Sequence, residues 1–236
     1  MLDAPSLNQP EFRAAFLANE RQERLKTGKV ASILVLLLMP AGIVLDAWVY
    51  PRSLTDFLYL RLTCSVLAGL LWFLHTTTFG QKHYKALGLP IALLPALFIA
   101  GMIYVDARNP QSPYPVSPYY AGLNLILLAV SAVVHWSTLE SLLAVSGVLL
   151  MYAVASLPTA KHDPRLIFNS YYFLVLTGIL VVTGNYVFNR LRFREFALRF
   201  QLDQNKKILE ESNQKLKELD QIKSRFFANI SHELRT

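Results

Sequence analysis

The sequence predicts an all-α polytopic membrane protein: six transmembrane helices followed by a cytoplasmic signalling helix or coiled coil. Three observations carry this. Hydrophobic residues make up 53% of the 236 residues and charged residues only 17%, where a globular chain carries roughly 25% charge. Six apolar runs are each close to the ~20 residues that cross about 30 Å of hydrocarbon. The closing stretch then turns polar, loses proline and glycine, and spaces its leucines by sevens.

Residues 1–29 are polar, with Glu11, Arg13, Glu20, Arg21, Glu23, Arg24, Lys26 and Lys29. No apolar stretch with a small-residue cleavage site stands here, so no removable signal peptide is expected. Phe12, Ala15 and Phe16 recur at helical spacing. Two readings are open: an amphipathic helix lying on the membrane surface, or a solvated polar tail.

The sensor domain is expected over residues 30–188. Its spans are Val30–Tyr50, Phe57–Leu74, Leu87–Val105, Tyr119–Trp136, Leu139–Leu157 and Ile167–Phe188. Ser117-Pro118 and Asp163-Pro164 place a capping residue before a proline at a helix's first position. Ser137-x-x-Glu140 reads as a capping box that starts the fifth helix. Pro40 and Pro95 fall inside spans and are expected to kink them.

Lys and Arg near the span ends set the orientation. With the N-terminus inside, inner segments hold Arg13, Arg21, Arg24, Lys26, Lys29, Lys82, Lys85, Arg190, Arg192, Arg194 and Arg199. Outer segments hold Arg52, Arg108, Lys161 and Arg165. Both termini are then cytoplasmic. Trp48, Tyr50, Tyr119, Tyr120, Tyr171 and Tyr172 gather at the outer boundaries, where aromatic anchors collect. The longest outer loop, Asp106–Pro118, is too small to bury a core. A stimulus must therefore be read by the helices, the loop rims or the bilayer.

Polar groups in spans are costly, at roughly 2.5–3.5 kcal/mol for a charge on insertion scales. Asp46, Arg61, Tyr104, Asp106, Tyr119, Tyr120, Asn124 and Asn169 all fall towards the outer ends. Two readings stand side by side. They line a small ligand-binding pocket, or Arg61 pairs with Asp46 or Asp106 to hold the bundle together. His75 and His135 lie near inner span ends, where interfacial hydrogen bonding is the default over a bis-histidine haem. No metal is expected. Cys64 reads as a packing residue, and Gly69, Gly122 and Gly147 as points of close helix contact.

Residues 189–222 form the signalling linker. Leu202, Leu209 and Leu216 repeat by sevens, with Leu198, Leu219 and Phe226 at the complementary position and Asn205 and Ser212 interrupting. That is a parallel coiled-coil pattern and implies a homodimer.

The segment "KSRFFANISHELRT", Lys223–Thr236, resembles the phosphoacceptor H-box of sensor histidine kinases. On a helix, Phe227, Ile230 and Leu234 make one apolar stripe, and His232 falls about 160° from Leu234 at 100° per residue. An imidazole there faces away from a packed seam and can meet an incoming phosphoryl group. His232 suits a nucleophile and the adjacent Glu233 a general base. The resemblance gives Glu233 that same role and assigns Thr236 to support of phosphatase activity. It also implies ATP and Mg in the parent protein, and a cytoplasmic response regulator as partner. No cofactor is expected in this stretch itself. The family's ATP-binding boxes do not occur before His232, so the expectation is the sensing half of a longer kinase, inactive alone. Six spans ahead of a signalling helix are also similar in architecture to quorum-sensing receptor kinases, which detect small amphipathic molecules, and to the membrane domains of some adenylate cyclases.

Two other classes compete: a six-helix transporter or channel with a regulatory tail, and a membrane anchor. Charge at mid-bilayer depth is scarce and no repeat relates the halves, which argues against transport. Nucleic-acid binding is excluded as a reading, because the basic residues flank spans and form no single patch.

Overall fold

The structure is a computed structural model that describes residues 10–109, 112, 116–160 and 164–233. Every regular element among them is helical: α1 (Pro10–Ala41), α2 (Ile43–Val49), α3 (Leu54–Thr76), α4 (Thr78–Lys82), α5 (Gly88–Arg108), α6 (Tyr120–Val133), α7 (Thr138–Ala160) and α8 (Pro164–Glu233). Leu17–Arg190 forms one compact unit. Met1–Phe16 with Leu191–Thr236 forms another.

In the first unit α5 is the hub and packs on α3, α6 and α7. Half of its apolar window is buried, against 22–39% for the other candidate spans. Its sequence explains this. Ala92, Ala96, Ala100 and Gly101 keep one side slim, so neighbours approach closely, as small residues permit in a bilayer. The core around it joins Phe57 and Cys64 of α3, Met102 and Ile103 of α5, Leu123 and Leu127 of α6, Val148 and Tyr152 of α7, and Leu174 of α8. A second cluster joins Ala31 of α1 to Ile91, Ala92, Val130, Val134, Trp136 and Ala144. Many leucines, valines and phenylalanines outside these clusters are exposed, Leu37, Leu70, Leu150 and Ile179 among them. A solvated bundle would not tolerate that much apolar surface; a bilayer covers it.

Five helices among the described residues are long and apolar enough to span a membrane. The expected fourth span, Tyr119–Trp136, comes out shorter. Its helix α6 has 14 residues, about 21 Å at 1.5 Å per residue. It ends at Val133 because the chain turns extended at Val134 to send Trp136 back into the core, where its ring nitrogen donates to the Gly88 carbonyl at 3.2 Å. Pro40 has the anticipated effect. The first apolar run breaks at Ala41, and α2 continues after Gly42. Pro95 is carried inside α5, buried.

The helix entries divide. Ser137 and Glu140 close the capping box: Ser137 N donates to Glu140 Oε2 at 2.6 Å, and Glu140 N donates to Ser137 Oγ at 3.2 Å. Pro164 does open α8, while Asp163 lies outside the described residues. Ser117 does not cap α6. That helix starts at Tyr120, and the Ser117 hydroxyl instead shares a hydrogen bond with the Tyr50 hydroxyl at 3.2 Å.

In the second unit, the N-terminal segment is helical from Pro10, and its phenylalanines pack against α8. Phe12 is fully buried. Its ring lies 5.9, 5.5 and 5.2 Å from those of Phe193, Phe196 and Phe200. Phe16 lies 5.6 and 5.4 Å from Phe193 and Phe196. Each such pair contributes roughly 0.5–1.5 kcal/mol beyond its buried area, so five of them make a firm contact between the two chain segments.

Candidate functional site

The expected pocket residues meet in part. Asp46 of α2 and Arg61 of α3 form a two-pronged ion pair: Arg61 Nε to Asp46 Oδ2 at 2.6 Å, and Nη2 to Oδ1 at 2.7 Å. Arg61 Nη1 donates to the Met39 carbonyl at 3.0 Å. The Tyr119 hydroxyl donates to Asp46 Oδ1. The local sequence builds this. The Pro40–Gly42 break lets α2 restart with Asp46 turned inward, and a Cβ at Gly42 would strike the Arg61 guanidinium. Tyr50, Phe57 and Tyr119 close over the pair, with Tyr50 stacked on Tyr119 at 5.2 Å and Phe57 edge-on to both. The side chains are 0% and 6% exposed. Each guanidinium nitrogen and each carboxylate oxygen has a partner, so this cluster is a closed lock. Tyr50 and Tyr119 are therefore core residues and not interface anchors, whereas Trp48, at 86% exposed, suits that role.

The other candidates stand apart from it. Asp106 accepts from the Ser112 hydroxyl at 2.7 Å, and Arg61 takes Asp46 as its partner. The Tyr104 ring lies under the Arg108 guanidinium at 4.8 Å. Tyr120 packs against the main core. The Asn124 side-chain oxygen is buried without a hydrogen-bond partner among the described residues. Asn169 is exposed on α8. An open space lies elsewhere, as a groove of about 480 Å³ along α8, lined by Pro164, Ile167, Phe168, Tyr171, Tyr172 and Val175. Apart from two tyrosine hydroxyls its lining is hydrocarbon. It suits an alkyl or acyl chain better than a polar solute.

The opposite end of the bundle holds a second polar layer, whose central Arg24–Glu140 pair sequence reading missed. Arg24 of α1 reaches Glu140 of α7, with Nη1 at 2.8 and 2.9 Å from its two oxygens, and Nε lies 2.9 Å from Glu20. The same Glu140 caps its own helix. The Asn189 amide of α8 donates to the Trp136 carbonyl at 2.8 Å. His135 Nδ1 lies 3.3 Å from Thr27 Oγ1, and His75 Nδ1 lies 2.7 Å from the Leu71 carbonyl. His135 thus bonds across to α1, while the His75 bond stays within α3. A Cβ at Gly28 would sit 2.5 Å from His75 Nε2, so α1 and α3 pack ring on backbone there. Among the described residues no group of three or more His, Cys, Asp or Glu could hold a metal. One turn before Asn189, Asn185 is 1% exposed and neither polar atom of its amide has a partner among the described residues. The capping spacing of Ser137 and Glu140 and the inner-end positions of His75 and His135 were visible in the sequence; nothing there pointed to the pairing of Arg24 with Glu140.

His232 and Glu233 lie on α8, which is helical to Glu233. Thr236 lies outside the described residues, as does Leu234 of the apolar stripe. Upstream on α8 the heptad leucines are exposed, Leu198 at 65% and Leu202 at 68%, with Leu209, Leu216 and Leu219 alike.

No curated protein and no solved structure matches the chain. A family model, MASE8, matches residues 44–203. That range takes in α2 to α7 and the first part of α8, including the Asp46–Arg61 lock, the Glu140 cap and the aromatic face of α8. The chain belongs to the MASE8 family of membrane-associated sensor domains.

Proposed function

We propose that this membrane sensor is the input half of a two-component sensor histidine kinase of the bacterial inner membrane. The observation that carries the reading is the Lys223–Thr236 sequence "KSRFFANISHELRT", whose residues up to Glu233 lie on α8, the helix that also contributes Leu174 and Val181 to the bundle core. In this reading the Arg24–Glu140 end faces the cytoplasm, as do both termini. The parent autophosphorylates: one nitrogen of His232 attacks the γ-phosphorus of Mg-bound ATP, the bond to ADP breaks, and Glu233 takes up or orients the ring proton. The phosphoryl group then passes to an aspartate of a response regulator, and Thr236 supports its later removal. The exposed heptad leucines favour a parallel homodimer, because that row needs an apolar partner.

The stimulus is read by the bundle. The hydrocarbon groove on α8 supports a small amphipathic signal whose alkyl part lies against Ile167, Phe168 and Val175. A bound signal acts by favouring one of two packings of the bundle, which requires different affinities for them.

The test is phospholabelling in nanodiscs of the chain joined to a histidine-kinase catalytic domain. Label from γ-labelled ATP, acid-labile and alkali-stable, is expected on the parent and lost in His232→Gln. Equal label in His232→Gln would overturn the assignment.

A further inference from the structure

The aromatic contact in the unit formed by Met1–Phe16 and Leu191–Thr236 has a position on α8 that matters. Phe193, Phe196 and Phe200 all touch Phe12. At 100° per residue these three centre about 170° from the mean direction of Leu198 and Leu202. The N-terminal helix therefore occupies one side of α8 and leaves the heptad row on the other side bare. A contact placed beside the leucines would have blocked a partner helix; this one does not.

The exposures agree. Phe12 is fully buried against the aromatic face, while Leu198 and Leu202 are 65% and 68% exposed. An apolar row that extends to Leu209, Leu216 and Leu219 with the same exposure needs a cover that repeats with it. A second copy of α8 in parallel register supplies one, residue for residue. Asn205 and Ser212 at heptad positions weaken the row, so leucine packing alone fixes its rotation poorly, and a brace on the far side has something to correct.

We propose that two copies of this chain assemble here as a four-helix arrangement. The two α8 helices pair through the Leu198–Leu202–Leu209 row, and each is braced on its outer side by its own N-terminal helix through Phe12 and Phe16. The brace fixes the rotation at which α8 presents its leucines. It makes residues 10–16 part of the signalling assembly. This rests on the dimeric reading proposed above and adds the brace to it.

The experiment uses the full chain with Cys64→Ala, reconstituted in phosphatidylethanolamine–phosphatidylglycerol vesicles and treated with a short bis-maleimide. Leu202→Cys on the row should cross-link between copies severalfold more than Asp203→Cys, which points away from it. Adding Phe12→Ala and Phe16→Ala should bring the two yields together. If the preference survives both alanines, the brace is overturned and the dimer stands. If Leu202→Cys shows no preference in the parent, the dimeric reading falls and the assembly with it. A second pair guards against misfolding of the alanine variant. Phe16→Cys with Phe196→Cys should give a link within one chain by mass spectrometry, and the linked protein should keep the Leu202 preference. Absence of that link, or its occurrence only between copies, would overturn the brace.

Discussion

The two buried ion pairs at opposite ends of the bundle use the same chemistry differently. Asp46–Arg61 is sealed: both side chains are almost wholly buried, three aromatic rings close over them, and the remaining polar capacity goes to Met39 and Tyr119. Arg24–Glu140 is slightly less buried, at 8% and 14% side-chain exposure, shares Arg24 with Glu20, and uses a carboxylate that also caps α7. The first joins α2 to α3, neighbours in sequence. The second joins α1 to α7 across 116 residues, at the end where α8 makes its Asn189 contact. A sealed pair can only be kept or broken. A pair whose members also hold Glu20 and the Ser137 backbone N–H keeps charged or hydrogen-bonded partners when it is broken, so its loss is less costly.

The contrast is broken most sharply at the sealed end. Arg61→Ala leaves Asp46 charged and buried, which should cost about 3–5 kcal/mol and show as a loss of folded protein and a lower unfolding midpoint in nanodiscs. Glu140→Ala should cost less, about 2 kcal/mol. It removes a cap contribution of roughly 1 kcal/mol and a partly solvated pair. Glu140→Gln keeps the capping geometry and should recover about half, read by the same midpoint. Gly28→Ala forces the His75 ring aside and should cost about 1 kcal/mol after the helix-propensity gain of alanine. At the small end, Glu195→Ala removes an exposed i,i+4 bond to Arg199 and should change stability by no more than about 0.5 kcal/mol.

Local chemistry was legible and distant pairing was not. The spans followed from run length and hydropathy, and the Ser137–Glu140 box from spacing alone, because both partners lie within one turn. The Ser117-Pro118 entry failed for the converse reason. Tyr50, far away in sequence, competes for the Ser117 hydroxyl, and α6 starts later. Arg61 had two carboxylates within plausible reach, and only the break at Pro40–Gly42 decides for Asp46. Arg24 and Phe12 read as topology and membrane-surface residues, since their partners Glu140 and Phe193 become visible only once α1, α7 and α8 are packed. Of the outer polar residues, sequence offered a pocket or an Arg61 ion pair; Arg61 pairs with Asp46 and Tyr119 joins them, while Tyr104, Asp106, Tyr120, Asn124 and Asn169 stand apart.

The Asp46 cluster is a lock whose worth lies in its internal bonds. That worth is tested by replacing the whole cluster at once. Asp46→Leu, Arg61→Met and Tyr119→Phe together remove every charge of the cluster and strand only the neutral Met39 carbonyl, whereas Arg61→Ala strands a buried carboxylate. The measurement is the thermal unfolding midpoint of both variants in nanodiscs of fixed lipid composition. Arg61→Ala should fall by about 10 °C while the triple variant should stay within a few degrees of the parent. A triple variant as unstable as Arg61→Ala would contradict this.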